Sequence, residues 1–413
     1  MKKGNTIKRN SCRLCRSKQI TEILDLGFMP LAGDYLLKKD LGKEKFYPLK
    51  IYVCNNCLLV QVLHVIKSDT LFRNYHYLSS IGLSEHFEKF AKETVNKYLK
   101  KGDFVVEIGS NDGVLLRPLK KHGIRVLGVD PAKNVADLAI KQGLETWVDY
   151  FGKNVAKKIV KEKGKTDAIF ANNVLAHIDD LDDVFKGIKQ LLKPSGIIVF
   201  EVHYLRDLIA KMQYDFFYNE HLSYYTLTSL IPFLEKYGLV IFDVMHLPIH
   251  SGSIRVYCKY KTNKNLRTYK RVLLMLNKEK QSRIQNIKTF NEFTKKVFKH
   301  KKNLNNVLLK IKNEGNKIVG YGAAGRGNTL LNFCEIDAEL IDYIVDESSE
   351  RQGRYTPGTH IPIVTPEIFR NDEVKYALLL AWSYKKQITD KEREFINRGG
   401  KFILPFPKVH LYP

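Results

Sequence analysis

Two short motifs, Cys12-Arg-Leu-Cys15 and Cys54-Asn-Asn-Cys57, constrain the fold of this chain more than any other stretch. With two residues between cysteines, a tight knuckle aims both thiolates at one ion, and two knuckles complete the tetrahedral sulfur shell that zinc accepts. The interval from Arg16 to Val53 is longer than in an ordinary zinc ribbon, so a small subdomain must fold inside it. A redox site would need one such pair beside a βαβ unit, whereas here two pairs sit among short strand-like runs. Cys12, Cys15, Cys54 and Cys57 are therefore predicted to hold a structural zinc ion, since four thiolates leave no position open for a catalytic water. Cys258 and Cys334 lie far away in apolar contexts and read as core thiols.

The middle of the chain carries a nucleotide-type αβ pattern. Asp103-Phe-Val-Val-Glu-Ile-Gly109 is a short apolar strand running into Ser-Asn-Asp-Gly113, and Val114 to His122 has helical spacing. The next strand, Val126-Leu-Gly-Val-Asp130, ends in an acid placed to bind ribose hydroxyls. The turn holds Glu107, Gly109 and Gly113 but not the three-glycine spacing that wraps a pyrophosphate. Asn111 and Asp112 suit a positive or zwitterionic ligand instead, so S-adenosylmethionine fits better than NAD. The later strands 166–173 and 197–201, with a Leu-Leu-Lys-Pro-Ser-Gly196 loop between them, look like the late part of a class I methyltransferase. A doubly wound domain with another ligand stays the alternative, because fold does not fix function.

Chemistry in such a sheet belongs at the carboxyl ends of its strands. Asn173-Val-Leu-Ala-His177, Glu201-Val-His203-Tyr204 and Tyr218-Asn-Glu220-His221-Leu-Ser-Tyr224-Tyr225 fall there. Tyr218, Glu220, His221 and Tyr224 within seven residues would be costly to bury as ordinary core, so a polar active-site wall is the better explanation. Taken singly, His177 and His203 also read as satisfied structural histidines.

These motifs, with Tyr75-His76-Tyr77-Leu-Ser79, Ser251-Gly-Ser-Ile-Arg255 and Gly320-Tyr-Gly-Ala-Ala-Gly325, stand in the order seen in the three-domain sugar C-methyltransferases. The chain resembles that family over nearly its whole length. The resemblance implies an α/β protein with a zinc-binding domain over 1–74 and a class I, Rossmann-like S-adenosylmethionine domain over 75–262. A second Rossmann-like domain, led by a helical segment, would span 263–413. It implies methylation of C3 beside the ketone of a nucleotide-linked 4-keto deoxysugar, with His221 as base and Tyr218, Glu220, His177 and Tyr77 lining the sugar site. Glu107, Gly109, Asn111, Asp112, Gly113, Asp130 and Asn173 are the expected cofactor contacts. Tyr75, Tyr224, Arg255, Gly322, Arg326 and Asn328 are the expected substrate contacts.

Elementary chemistry agrees. A ring carbon beside a ketone loses its proton when the enolate oxygen is stabilised and a base sits on the correct face. Histidine titrates near neutrality, and Glu220 is close enough in sequence to hold the His221 ring. Asn219 stands where the family usually has His, and Ser383 where Asn is common, which bears on the sugar rather than on the chemistry.

The C-terminal third poses rival readings. After a Lys-rich, helix-compatible stretch from Lys264 to Lys312, Lys317-Ile-Val-Gly320-Tyr-Gly322-Ala-Ala-Gly325-Arg326-Gly327-Asn328 matches GxGxxG, and Asp346 ends the following strand. Alone this is a dinucleotide fingerprint, which makes an NAD(P)-dependent dehydrogenase the first alternative. A zinc knuckle and a methyltransferase-like domain are not needed for hydride transfer. In the resembling family this domain helps to hold the nucleotide-diphosphate sugar, with Arg255 or Arg326 as the clamp on the diphosphate. The excess of 68 Lys and Arg over 44 Asp and Glu, a net charge of +24, raises a nucleic-acid methyltransferase as the second alternative. The aromatics, however, cluster with acids and histidines rather than with Lys or Arg, so most of the excess reads as solvated surface. No apolar run approaches the roughly 18 residues that cross a bilayer, and the basic start lacks a secretory apolar core. The expectation is a cytoplasmic enzyme, monomer or homodimer, without nucleic-acid or membrane partners.

Overall fold

The computed structural model describes residues 2–73, 75 and 77–413; Met1, Asn74 and the His76 of the Tyr75–Ser79 motif lie outside the described residues. In the N-terminal domain the strand Lys45–Cys54 pairs antiparallel with Ile20–Met29 on one side and Val60–Val62 on the other. Ile20 lies opposite Cys54, so the sheet register carries the second knuckle to the end of the first. Each knuckle closes by a backbone bond, Arg16 N–H to the Cys12 carbonyl and Leu58 N–H to the Cys54 carbonyl, with Arg16 and Leu58 both at φ 64°. Ser223–Tyr224, from the motif that holds His221, adds antiparallel to Val60–Val62 as a further strand of this sheet.

The central sheet has seven strands in the order Leu239–Leu247, Ser253–Tyr260, Leu192–His203, Thr166–Asn172, Phe104–Ile108, Arg125–Val129, Thr146–Trp147. Ser253–Tyr260 is antiparallel to both its neighbours, and the ladders from Leu192–His203 through Thr146–Trp147 are parallel. Val105, Val106, Ile169, Phe170, Val199 and Phe200 are buried, as near-continuous apolar runs must be when helices cover both faces. The Leu-Leu-Lys-Pro-Ser-Gly196 segment is not a loop. The ladder starts at Thr166↔Leu192, slips, and resumes at Ala168↔Ile197, with Pro194, which has no N–H to offer, inside the slip.

The third sheet has the order Ile363–Val364, Ile344–Val345, Ile318–Tyr321, Tyr376–Leu379, Lys401–Leu404, His410–Tyr412, parallel except for the last pair. The helix-compatible stretch before it is two helices, Lys270–Gln281 and Ile287–Asn313, broken where Arg283 takes φ 54° and Asn286 caps the second helix. The first belongs with the central sheet, since the buried Glu279 accepts from Leu227 N–H at 2.7 Å and Thr228 N–H at 3.0 Å. The second buries Phe293, Val297, Leu304, Leu308 and Ile311 in the core of the C-terminal domain. Cys258 and Cys334 are fully buried. Among the described residues no helix is long and apolar enough to cross a membrane.

Candidate active site

At the knuckles, the four sulfur atoms lie within 4.8 Å of one another, with Cys12–Cys57 and Cys15–Cys54 each at 3.5 Å. Zinc–sulfur bonds of about 2.3 Å in a tetrahedron set sulfurs about 3.8 Å apart, so this donor set fits the ion. Arg13, inside the first knuckle, is fully buried; its Nε donates to Asp179 at 3.0 Å and its Nη1 to the carbonyl of Leu222 at 3.1 Å. Leu222 follows His221, so the zinc knuckle is fastened to the segment that carries the expected base.

Residues of all three domains enclose a cleft of about 2370 Å³ at the carboxyl ends of the central strands. Gly109 lines it at φ 66°, where a Cβ would lie 2.7 Å from Val174. The Asp130 carboxylate is fixed at the crevice by the N–H groups of Asn111 at 2.8 Å and Ala132 at 2.9 Å. Asn111 ties down the segment that precedes the helix Ser80–Tyr98, accepting from Ser79 N–H at 2.9 Å and donating to the Tyr77 carbonyl at 3.0 Å. Asn173, at φ 54°, completes this wall. The other expected cofactor contacts stand behind the turn instead of facing the cleft. Asp112 accepts from Ser80 N–H at 3.2 Å. Gly113 is pressed against Leu144, 2.3 Å from where its Cβ would be. Glu107 is buried with Asn172 donating to it at 3.2 Å, and burial pushes its pKa well above the usual range.

One wall of the cleft is a row of rings. His177 and His203 flank His221, each with its ring centre 4.8 Å from that of His221. His221 is 3% exposed, and its Nε2 lies 2.7 Å from the Tyr218 hydroxyl. Tyr218, not Glu220, is thus the partner of that ring. Glu220 meets His177, whose Nδ1–H donates to its backbone carbonyl at 3.0 Å. Burial draws His177 down to about 4 and pushes the Glu220 carboxyl up to about 7. Tyr77 stands 41% exposed in the same cleft with Tyr75 beside it, ring centres 6.5 Å apart.

A carboxyl whose pKa is raised on folding loses stabilisation as pH climbs from its ordinary value through about 7. Glu220→Gln is therefore expected to melt with the native protein at pH 5 and to be more stable by about 1–3 kcal/mol at pH 8.5. Thermal melts across that range check it, and parallel curves at both ends would refute the assignment.

Four expected substrate contacts lie outside the cleft lining. Arg255 is buried in its strand with Nε 2.6 Å from Glu201 and its guanidinium 3.5 Å from the Phe90 ring centre, so its charge is already matched away from the cleft. Tyr224 is buried behind His221 and donates to the Phe216 carbonyl at 3.1 Å. Gly322 packs on Ala381, where a Cβ would fall 2.3 Å from the alanine methyl. Asn328 is buried and donates to the Ala32 carbonyl at 2.6 Å, so it anchors the N-terminal domain's loop. That loop lies over the GxGxxG turn, with the Tyr35 hydroxyl bonded to the Ala323 carbonyl. Asp346, the acid a dinucleotide would need, accepts from Ala323 N–H at 2.7 Å, as Asp130 does from Asn111 N–H, so it is the covering loop and not this bond that sets the two turns apart.

Arg326 does face the cleft, sandwiched between Phe216 and Trp382 with its guanidinium 4.7 and 4.3 Å from their ring centres. Asp215 sits 3.7 Å from its Nε and accepts from the Trp382 indole at 2.8 Å, while Nη2 is buried without a hydrogen-bond partner. Lys43, Arg351 and Arg354 add positive charge to the same wall. The sequence reading passed over Lys43 and Arg351, because isolated basic residues in loops carry no periodicity or spacing.

Fold and crevice together define the class, an S-adenosylmethionine-dependent methyltransferase of the class I fold built onto a zinc module. Family comparisons agree: a family described as C-methyltransferase C-terminal domain matches residues 248–407, a methyltransferase domain 57–244 and a zinc binding domain 12–72. C-methyltransferase NovU of Streptomyces niveus is 35% identical over 403 residues, 97% of this chain and 96% of that one. Ubiquinone biosynthesis O-methyltransferase of Escherichia coli is 29% identical over 101 residues, 24% of this chain and 42% of that protein. Among solved structures, the PH0226 protein of Pyrococcus horikoshii aligns over 48% of this chain and 99% of its own, at 18% identity and TM-score 0.38. Magnesium protoporphyrin IX methyltransferase of Synechocystis with bound S-adenosylmethionine aligns over 44% and 81%, at 14% identity and TM-score 0.33. The chain belongs to the three-domain C-methyltransferases, with S-adenosylmethionine and zinc as its cofactors.

Proposed function

We propose that this enzyme methylates the carbon beside the ketone, C3, of a nucleotide-linked 4-keto deoxysugar by way of an enolate. The observation that carries the reading is the Tyr218–His221 pair, 2.7 Å apart, in one cleft with the Gly109–Asp130 crevice on one side and Arg326 on the other. Asp130 would hold the ribose of S-adenosylmethionine, with Gly109, Asn111 and Asn173 forming the rest of the cradle. Bound there, S-adenosylmethionine supplies an electrophilic methyl on a positively charged sulfur.

The protein's own groups supply the nucleophile. Burial holds His221 neutral; with its proton on Nδ1, the Nε2 lone pair beside the Tyr218 hydroxyl takes the substrate proton as that hydroxyl turns away from it. His177 uses Nδ1–H on the Glu220 carbonyl and, being neutral, presents Nε2 only as an acceptor. The enolate oxygen therefore takes its hydrogen bonds from tyrosine, Tyr77 or Tyr218, rather than from that histidine. Arg326, backed by Asp215 and held flat between two rings, is the clamp for the diphosphate, with Arg351, Arg354 and Lys43 beside it.

Incubation with S-adenosylmethionine and a panel of dTDP-, GDP- and CDP-linked 4-keto deoxysugars, read by mass spectrometry, tests the reading. One sugar should gain a single methyl group. No gain on any of them, with reduction of NAD instead, would replace it by the dehydrogenase reading. Asp130→Asn is expected to weaken S-adenosylmethionine binding by about tenfold or more, roughly one charge-assisted bond, in titration calorimetry. Unchanged affinity would remove Asp130 from the cofactor site.

A further inference from the structure

His221 has only one of its two nitrogens accounted for. Nε2 meets Tyr218, whereas Nδ1 is buried without a hydrogen-bond partner. Beside it stands His203, the last residue of the strand Leu192–His203, with ring centres 4.8 Å apart and an Nε2 that is buried and unpartnered as well. A buried polar atom left unpaired is expensive, and two on adjacent rings call for a common explanation. No hydrogen bond joins Nδ1 to the nearby Phe216 carbonyl, which accepts from the Tyr224 hydroxyl at 3.1 Å. The Phe216 ring braces His203 at 4.9 Å, and the His250 ring lies 5.3 Å away. These histidines are not a metal centre: among the described residues, only the four cysteines bring ligand atoms together.

We propose that His203 is the positioning residue of the base, its Nε2 accepting from Nδ1–H of His221 as the substrate proton arrives. The inference rests on His221 being the base. Two consequences follow from the geometry. With Nδ1–H committed to His203, the free lone pair of His221 is on Nε2, the atom at Tyr218 and the cleft. When the carbon's proton is transferred, the C–H electron pair stays on the substrate as the enolate. His221 becomes an imidazolium with two N–H groups, each with an acceptor, Tyr218 Oη and His203 Nε2. Burial, with His250, His177 and Arg326 nearby, keeps His203 well below its usual pKa and hence neutral.

Nitrogen-15 NMR of histidine-labelled protein, together with kinetics on the sugar that the wild type methylates, tests this. The wild type should show His221 as the Nδ1–H tautomer. His203→Gln, which keeps an acceptor oxygen, should retain that tautomer and a kcat within about fivefold. His203→Leu should lose it, and kcat should fall by about 10- to 100-fold while KM for both substrates stays within about threefold. An Nε2–H tautomer in the wild type overturns the proposal even if neither variant folds. Normal kcat in His203→Leu also overturns it, whereas normal kcat in His221→Gln would overturn the base assignment beneath it.

Discussion

His221→Gln should abolish methyl transfer while leaving the fold and S-adenosylmethionine binding intact. The expected loss in kcat is about 10²- to 10⁴-fold, the usual worth of a positioned general base. Glutamine roughly fills the ring's volume and can still meet the Tyr218 hydroxyl, so packing against His177 and His203 is largely kept. It cannot take a proton near neutral pH. Without that acceptor the carbon beside the ketone keeps its hydrogen, and no nucleophile forms. Stopped assays of labelled methyl transfer, with calorimetry for cofactor affinity, separate the two effects. A variant that binds the cofactor normally and still transfers methyl at the native rate would sink the assignment.

The second large effect should come from the zinc. Cys12→Ser, Cys54→Ser or a strong chelator is expected to strip the ion and to abolish methyl transfer, although no cysteine touches the cleft wall. Structural zinc sites contribute about 10–16 kcal/mol of apparent binding free energy at neutral pH, more than a small domain's own stability. Without it the two knuckles are joined by the strand register of Ile20 against Cys54, by Asn55 N–H on the Gln19 carbonyl and by Arg13 on Gln61, a few neutral or single bonds in place of four metal–sulfur bonds. The damage would then travel through two named contacts. Arg13 releases the Leu222 carbonyl, and Val60–Val62 loses its hold on Ser223–Tyr224, the strand that follows His221. Metal content, a thermal melt and the methyl-transfer assay on one preparation check the chain of effects. Full activity in a zinc-free protein would show that the module is not needed to hold the base.

The legible part of this fold was that carried by short-range chemistry. Cys-x-x-Cys spacing, the Glu107–Gly113 turn and the acid at Asp130 each follow from what a few neighbouring residues can do, and the structure builds a knuckle, a turn and a strand end at those places. The Pro194 segment was misread as loop, because a slipped ladder pairs residues far apart in sequence. The helix-compatible stretch that leads to the last domain divides in two for a reason equally hidden from the sequence. Lys270–Gln281 and Ile287–Asn313 share one periodic pattern, but each buries its face against a different sheet. Composition was less informative than it looked, since the basic residues that reach the cleft are a handful drawn from all three domains.

The sequence by itself determined the zinc ligands, the class I cofactor turn and the identity of the Tyr218–His221 segment, because each is specified by residues a few positions apart. Only the tertiary structure decided which groups pack around that segment. It gave His221 to Tyr218 rather than to Glu220, paired Arg255 with Glu201 outside the cleft lining, and set Arg326 in that lining between Phe216 and Trp382. It also laid the Ala32–Tyr35 loop over a glycine turn that reads, in sequence, as an open dinucleotide site. Partners of this kind are chosen by burial: once a charge or a ring nitrogen leaves water, it takes whichever group the packing brings within 3 Å, and sequence distance has no say in it.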